Sequence, residues 1–131
     1  MENRTVLEAK RLGVYHCEES CKLGEAARRM VDEDISSLAV VDADGNLSGI
    51  ITRTDLLRAL LTGRGWEDLL IRDYMARGVV TVPPTATLKE VAEMMLEKQI
   101  HRIVVAREED GKLRAISVIS AGDIVYHMVR S

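Results

Sequence analysis

The 131-residue sequence predicts a mixed α+β fold, built from two β-α-β-β-α repeats that pack through their sheets with pseudo-twofold symmetry. The first observation is an internal repeat. Residues 23–30 align with residues 88–95, with leucine, glutamate, alanine and methionine at matching positions. The alignment continues from residues 35–41 to residues 100–106, and an Asp-Gly pair follows both segments. Because each repeat has about 60 residues, too few for a thick core, both are expected to form one compact domain.

The first repeat, assigned to residues 1–65, shows the order strand, helix, strand, strand, helix. Asp44-Gly45 predicts a tight turn between the two central strands, because glycine accepts the positive φ that hairpin turns need. In chain order, the predicted elements are a helical lead-in over residues 1–12, a strand over 14–17, a helix over 23–32, strands over 38–41 and 47–52, and a helix over 53–61.

The second repeat, assigned to residues 66–131, has the same order of elements. Thr87 is predicted to cap a helix that ends at Lys98, since Glu90 follows three residues on and apolar residues recur at helical spacing. In chain order, the predicted elements are a linker helix over residues 66–75, a strand over 79–82 that Pro83-Pro84 ends, the helix after Thr87, strands over 100–106 and 113–119 around an Asp110-Gly111 turn, and a final helix.

Composition and charge exclude several classes of protein. Hydrophobic residues make up 47% of the chain, which is ordinary for a globular domain, and no apolar run reaches the roughly 18 residues of a membrane span. The charged N-terminus lacks the apolar core of a signal peptide, so a cytoplasmic location is expected. A net charge of −3 with both signs interspersed argues against a nucleic-acid partner.

Residues with catalytic or metal-binding chemistry form no complete set in the sequence. Cys17 and Cys21 lie near His16, but zinc normally has four ligands and no second cluster supplies the rest. The thiols are therefore expected to pack as small hydrophobic groups, and metal binding is the weaker interpretation. Neither a nucleophile with a recognisable base nor a P-loop is present, so the sequence indicates no enzyme.

Each repeat ends on a short polar motif, Thr52-x-x-Asp55 in the first and Ser120-x-x-Asp123 in the second. One interpretation is a capping box, in which the hydroxyl and the carboxylate satisfy free amides at a helix start. The other is a ligand site, because free amides at a helix start bind phosphate and a nearby carboxylate can accept hydrogen bonds from a ribose diol. The motif alone leaves both interpretations open.

The whole repeat resembles the CBS domain, named after cystathionine β-synthase. The resemblance includes the helix, the apolar strand, the Asp-x-Asp-Gly turn and residues 49–55, and it covers residues 8–129 in two tandem copies. It implies a stand-alone Bateman module, which is regulatory and not catalytic. Members of the family bind adenosine nucleotides or related adenosyl ligands in clefts between their two copies.

The resemblance also implies roles for individual residues. Asp55 and Asp123 match the family aspartate that binds ribose hydroxyls, while Thr52 and Ser120 match the hydroxyl residue at the phosphate or sugar. Each implied cleft takes this motif from one copy and two strand segments from the other. The first cleft would join Thr52 and Asp55 to Gly78, Val79, Val80, His101 and Arg102. The second would join Ser120 and Asp123 to Gly13, Val14, Tyr15, Ser36 and Ser37.

Charge distinguishes the two implied clefts. His101-Arg102 resembles the pair that holds phosphates in the nucleotide-binding subunit of AMP-activated protein kinase, and a guanidinium suits phosphate oxygens. The alternative is that this pair is only the solvent-facing rim of a strand. The first copy has Ser36-Ser37 at the matching position, and the second copy has Ser117 where the first has Gly49.

The resemblance therefore predicts a regulatory module that senses AMP, ADP or ATP and signals to a protein target that the sequence does not name. A sensor of S-adenosylmethionine or of a dinucleotide is one alternative, and a ligand-free interaction module is another. A homodimer is expected, because family modules pair into flat discs through exposed faces such as residues 57–61 and 124–129.

Overall fold

The computed structural model describes residues 4–9, 16–63 and 65–130. They divide into two compact units: residues 16–63 and 65–79 form the first unit, and residues 4–9 with 80–130 form the second. In chain order the helices are α1 (Val6–Ala9), α2 (Leu23–Glu33), α3 (Arg53–Leu60), α4 (Leu88–Lys98) and α5 (Ala121–Arg130). The strands are β1 (His16–Glu18), β2 (Ser37–Val41), β3 (Leu47–Thr52), β4 (Thr81–Val82), β5 (Arg102–Glu109) and β6 (Lys112–Ser120).

Each unit contains one three-stranded sheet, and the two sheets have the same topology. In the first unit β1 runs parallel to β2, and β2 pairs with β3 as an antiparallel hairpin. The second unit repeats this with β4, β5 and β6, and the pairing shifts at the same place, after Val40 in β2 and after Val105 in β5. The predicted α+β class and the β-α-β-β-α order are confirmed, while the packing of one sheet on the other stays a prediction.

Helices α2 and α4 cover the sheets of their units and build two separate cores. Fully buried residues of the first core include Leu23, Leu38, Ile51 and Ile71, and those of the second include Leu88, Val91, Ile103 and Ile119. Thr87 caps α4 as predicted, because Thr87 and Glu90 exchange side-chain and backbone hydrogen bonds. The bond from the Thr87 amide also lowers the pKa of Glu90. Burial of these apolar faces is what holds each unit together.

The linker helix predicted over residues 66–75 is wrong. Two short 3-10 turns, Trp66–Asp68 and Ile71–Asp73, occupy this stretch. Their backbone bonds run to the neighbouring loop and helix start: Leu23 N donates to Leu69 O at 2.8 Å, and Ile71 N donates to Cys21 O at 2.9 Å. A continuous helix would use those groups internally, so the bonds to residues 21–23 of the same unit prevent it.

The segments that precede the two repeats show further differences from the predictions. A lead-in helix was predicted over residues 1–12, and within the described residues 4–9 it is the single turn α1. This turn belongs to the second unit, where Val6 N donates to Ala86 O at 2.9 Å. The strand predicted over residues 79–82 is limited to β4. Among the described helices, none combines the length and apolar character needed to cross a membrane.

Candidate functional site

The Thr52-x-x-Asp55 motif lies where β3 ends and α3 begins. Thr52 has an extended backbone, and its side-chain oxygen accepts a hydrogen bond from the Asp55 amide at 3.4 Å. In return, Asp55 Oδ2 accepts from the Thr52 amide at 2.9 Å and from the Thr52 hydroxyl at 3.0 Å. The capping-box interpretation is therefore confirmed, and it satisfies amides that the first turn of a helix leaves without a partner.

Asp55 also forms an ion pair that the sequence analysis missed. Arg58 Nη1 lies 2.9 Å from Asp55 Oδ1, one helical turn further along α3. The Asp55 side chain is only 7% exposed, whereas that of Arg58 is 69% exposed. The three-residue spacing of Asp55 and Arg58 could have indicated this ion pair, because side chains at that separation are neighbours on a helix. Both carboxylate oxygens of Asp55 are thus engaged within the first unit.

The Ser120-x-x-Asp123 motif has the same geometry at the junction of β6 and α5. Asp123 Oδ2 accepts from the Ser120 amide at 2.8 Å, and the Asp123 amide donates to Ser120 Oγ at 3.1 Å. The position that matches Arg58 holds Tyr126. The two motifs are alike as caps, but only the first has an arginine one turn later on its own helix.

Strand register places each motif beside the second strand of its own repeat. Ser37 pairs with Thr52, and Arg102 pairs with Ser120. The Arg53 amide donates to Ser36 O at 3.2 Å, and the Ala121 amide donates to His101 O at 2.9 Å. Polar groups of two adjacent strand ends therefore meet at each helix start.

The predicted site residues are distributed over both units. The first unit contains Ser36, Ser37, Thr52, Asp55, Gly78 and Val79, and the second contains Val80, His101, Arg102, Ser120 and Asp123. Gly13, Val14 and Tyr15 lie outside the described residues. The pairing of each motif with strands of the other repeat stays a prediction from the family resemblance.

Gly49 lies where a separate segment of the chain approaches β3 closely. A Cβ atom added at Gly49 would lie 2.6 Å from Ala76 O and 2.9 Å from the sulfur of Met75. Ala76 is held there by two backbone hydrogen bonds with Ile50, at 3.0 and 2.9 Å. The close approach of this segment to β3 therefore requires glycine at position 49.

The two cysteines lie in an apolar setting. Cys17 is buried in the first core, and burial raises the pKa of its thiol to about 12, so the thiol stays protonated at neutral pH. A hydrogen bond with Glu25 and, less strongly, burial raise the pKa of Cys21. Across residues 4–9, 16–63 and 65–130, no three His, Cys, Asp or Glu side chains are grouped to hold a metal ion.

Comparison with known sequences identifies the repeats. The profile of the family described as CBS domain matches residues 8–62 and 71–130. An uncharacterized protein of Methanocaldococcus jannaschii is 28% identical over 123 residues, which cover 94% of this chain and 42% of that protein. The 5′-AMP-activated protein kinase subunit gamma-3 of Sus scrofa is 30% identical over 108 residues, which cover 77% of this chain and 20% of that protein. The chain thus spans less than half the length of either relative.

Solved structures show the same fold. An uncharacterized conserved protein from Pyrococcus horikoshii is 26% identical with a TM-score of 0.80, over 100% of this chain and 96% of that one. A CBS domain pair in complex with 5′-methylthioadenosine and S-adenosyl-L-methionine is 23% identical with a TM-score of 0.78, over 95% and 98% of the chains. CBSX2 in complex with AMP is 23% identical with a TM-score of 0.75, over 97% of both chains.

Proposed function

Because this chain belongs to the CBS-domain family as a tandem pair, we propose that it is a regulatory module that binds an adenosyl ligand and signals to a partner protein. AMP, ADP and ATP are the leading ligands, and S-adenosylmethionine or a dinucleotide are the alternatives. The observation that carries the proposal is the pair of matching Thr/Ser-x-x-Asp motifs, each at a helix start beside a second strand end. The module would act by binding its ligand more tightly in one conformation than in another.

Two features of the described residues, together with the relatives, support an adenosyl ligand. Each motif combines a hydroxyl, a carboxylate and the amides of a helix start, which suit a ribose and a phosphate. Exposed His101, which directly precedes β5, and half-buried Arg102, its first residue, supply cationic or hydrogen-bonding groups. The relatives with AMP in their names or complexes support the same class of ligand. Sharing of each site by the two repeats is part of the proposal and rests on the family resemblance.

We expect adenine nucleotides to raise the melting temperature and guanine or pyrimidine nucleotides to raise it less. The half-buried apolar pair Val79-Val80 can pack against a purine ring while its backbone binds the edge of the base. A thermal-shift panel of AMP, ADP, ATP, GMP, CMP and S-adenosylmethionine tests this, followed by calorimetric titration of the compounds that shift. Equal shifts for all bases would contradict adenine selectivity, and no shift for any would contradict the ligand-binding function.

A ligand-free interaction module is the second candidate function. The observation in its favour is that Thr52, Asp55, Ser120 and Asp123 all serve as helix caps, which is a sufficient structural reason for these residues. The same titration separates the two functions, because capping alone predicts no heat with any adenosyl compound.

An apolar surface on the helices supports self-association. Each unit has an open groove between its two long helices, of about 530 Å³ between α2 and α3 and about 430 Å³ between α4 and α5. The large hydrophobic side chains that are exposed in the described part of the chain are Val31, Leu57, Leu60, Leu61, Leu96, Val125, Met128 and Val129. All but Leu61, which directly follows α3, lie on these four helices, and concentrated apolar surface marks interaction sites.

We expect the protein to be a homodimer whose interface includes these helices. Light scattering at low micromolar concentration should give the mass of two chains, and Met128→Glu should lower it to one, because a charge buried at an apolar interface is costly. Arg107→Glu on the β5–β6 hairpin is the control, and it should leave the dimer intact. A single-chain mass for the wild type would contradict the prediction.

A further inference from the structure

The hydrogen bonds of the Asp55 carboxylate limit what else it can accept. Oδ2 takes two bonds from Thr52, at 2.9 and 3.0 Å, and Oδ1 takes one from Arg58 at 2.9 Å. An ionised carboxylate has about four acceptor positions, so roughly one remains on Asp55. A ribose 2′,3′-diol donates two hydroxyl groups and therefore needs one position more than this carboxylate has left.

One of the three bonds is easier to break than the others. The bond from the Thr52 amide belongs to the capping box, and its loss would leave a backbone amide at the helix start without a partner. The bond from the Thr52 hydroxyl accompanies it on the same oxygen, Oδ2. Arg58, by contrast, has a side chain that is 69% exposed, so water can replace Asp55 as its partner. An ion pair with an exposed partner contributes little to stability, and Arg58 is therefore the group that can leave.

We propose that Arg58 is a positioning residue that competes with the ribose for Asp55 and so lowers the affinity of the first motif for ribose-bearing ligands. The inference rests on the proposed function, in which Asp55 binds the diol. It concerns the first motif, where the arginine stands three residues after the aspartate; the matching position on α5 holds Tyr126.

Arg58→Met tests the proposal, because methionine keeps a long side chain and a high helix propensity but has no donor. AMP and 2′,3′-dideoxy-AMP are titrated by calorimetry into the full chain, and the phase that Asp55→Ala removes is followed. The measured quantity is the dissociation constant of dideoxy-AMP divided by that of AMP. Both compounds carry the same phosphate, so a general loss of positive charge cancels in this ratio.

The ratio should rise about two- to fivefold in Arg58→Met, the range that an ion pair with an exposed partner contributes. Arg53→Met is the matched control. Arg53 lies on the same helix, its side chain is 59% exposed, and its guanidinium lies 3.9 Å from the Asp34 carboxylate. It should leave the ratio unchanged. Arg58→Leu is the second variant; leucine also has no donor and a high helix propensity, so it gives the same reading if Arg58→Met folds poorly.

The outcomes separate the inference from the function. If the wild type binds AMP but the ratio of dissociation constants is unchanged or lower in both Arg58 variants, the competition is wrong and the proposed function still stands. A rise of the same size in Arg53→Met would overturn the competition too, since the effect would then be one of net charge. No heat from either compound with the wild type would overturn both the competition and the proposed function.

Discussion

Arg102→Ala is expected to weaken the tighter adenosyl site at least tenfold. A hydrogen bond between a charged group and a phosphate contributes roughly 1.5 to 3 kcal/mol, and about 1.4 kcal/mol corresponds to a factor of ten in affinity. Asp55→Ala should act on the same site, because the family resemblance assigns Asp55 and Arg102 to one cleft. Asp123→Ala should spare it. Two-phase calorimetric titration with AMP, for each variant, measures these effects.

A matched control exists on the same strand. Arg107→Ala removes the same charge from β5 at an exposed position, where the side chain lies 3.8 Å from Glu109, and it should leave the tight phase intact. The strand register offers a competing arrangement, since Arg102 pairs with Ser120 inside the second unit. Loss of the tight phase in Asp123→Ala, with Asp55→Ala unaffected, would show that Arg102 serves the motif of its own repeat and that the assigned cleft is wrong.

Gly49→Ala is expected to destabilise the protein by about 1 to 3 kcal/mol, the usual cost of forcing extra volume into a packed site. The added Cβ would lie 2.6 Å from Ala76 O, and a backbone oxygen held by hydrogen bonds cannot move as a flexible side chain can. Urea denaturation followed by circular dichroism measures the change as a lower midpoint at unchanged slope.

Ser117→Ala is the control for this substitution, because it lies at the matching position of the second sheet, which already accommodates a Cβ atom. Its free energy of unfolding should change by less than about 1 kcal/mol, the size of a small side-chain change without a lost packing group. Should Gly49→Ala unfold at the wild-type midpoint, the close contact between residue 49 and Ala76 would not exist in solution.

Local patterns were sufficient to predict the caps and most of the helices and strands. Thr87 with Glu90, and Thr52 with Asp55, form the predicted boxes because a side chain and an amide three residues apart meet wherever a helix starts. The hairpin turns follow equally local rules, and Gly45 and Gly111 have the positive φ that those turns require, at 81° and 75°.

Contacts between residues distant in sequence could not be predicted from local patterns. Residues 66–75 have apolar residues that suit a helix, but their backbone groups bond to residues 21–23, and only the three-dimensional structure shows these competing bonds. The requirement for glycine at position 49 depends on Ala76, which approaches from a separate segment. The ion pair of Arg58 with Asp55 was not predicted, although the two residues are only three positions apart. That spacing alone does not reveal that the Asp55 carboxylate is buried.

The sequence by itself determined the family, the two repeats, the order of their elements and the paired Thr/Ser-x-x-Asp motifs, because repeats, periodicity and caps are properties of neighbouring residues. Only the tertiary structure decided which segments complete each unit: residues 65–79 join the first, and residues 4–9 join the second. It also decided that the Asp55 carboxylate is buried and shared with Arg58. These features depend on burial and on hydrogen bonds between distant segments, and their free energies depend on surroundings that a single stretch of sequence does not contain.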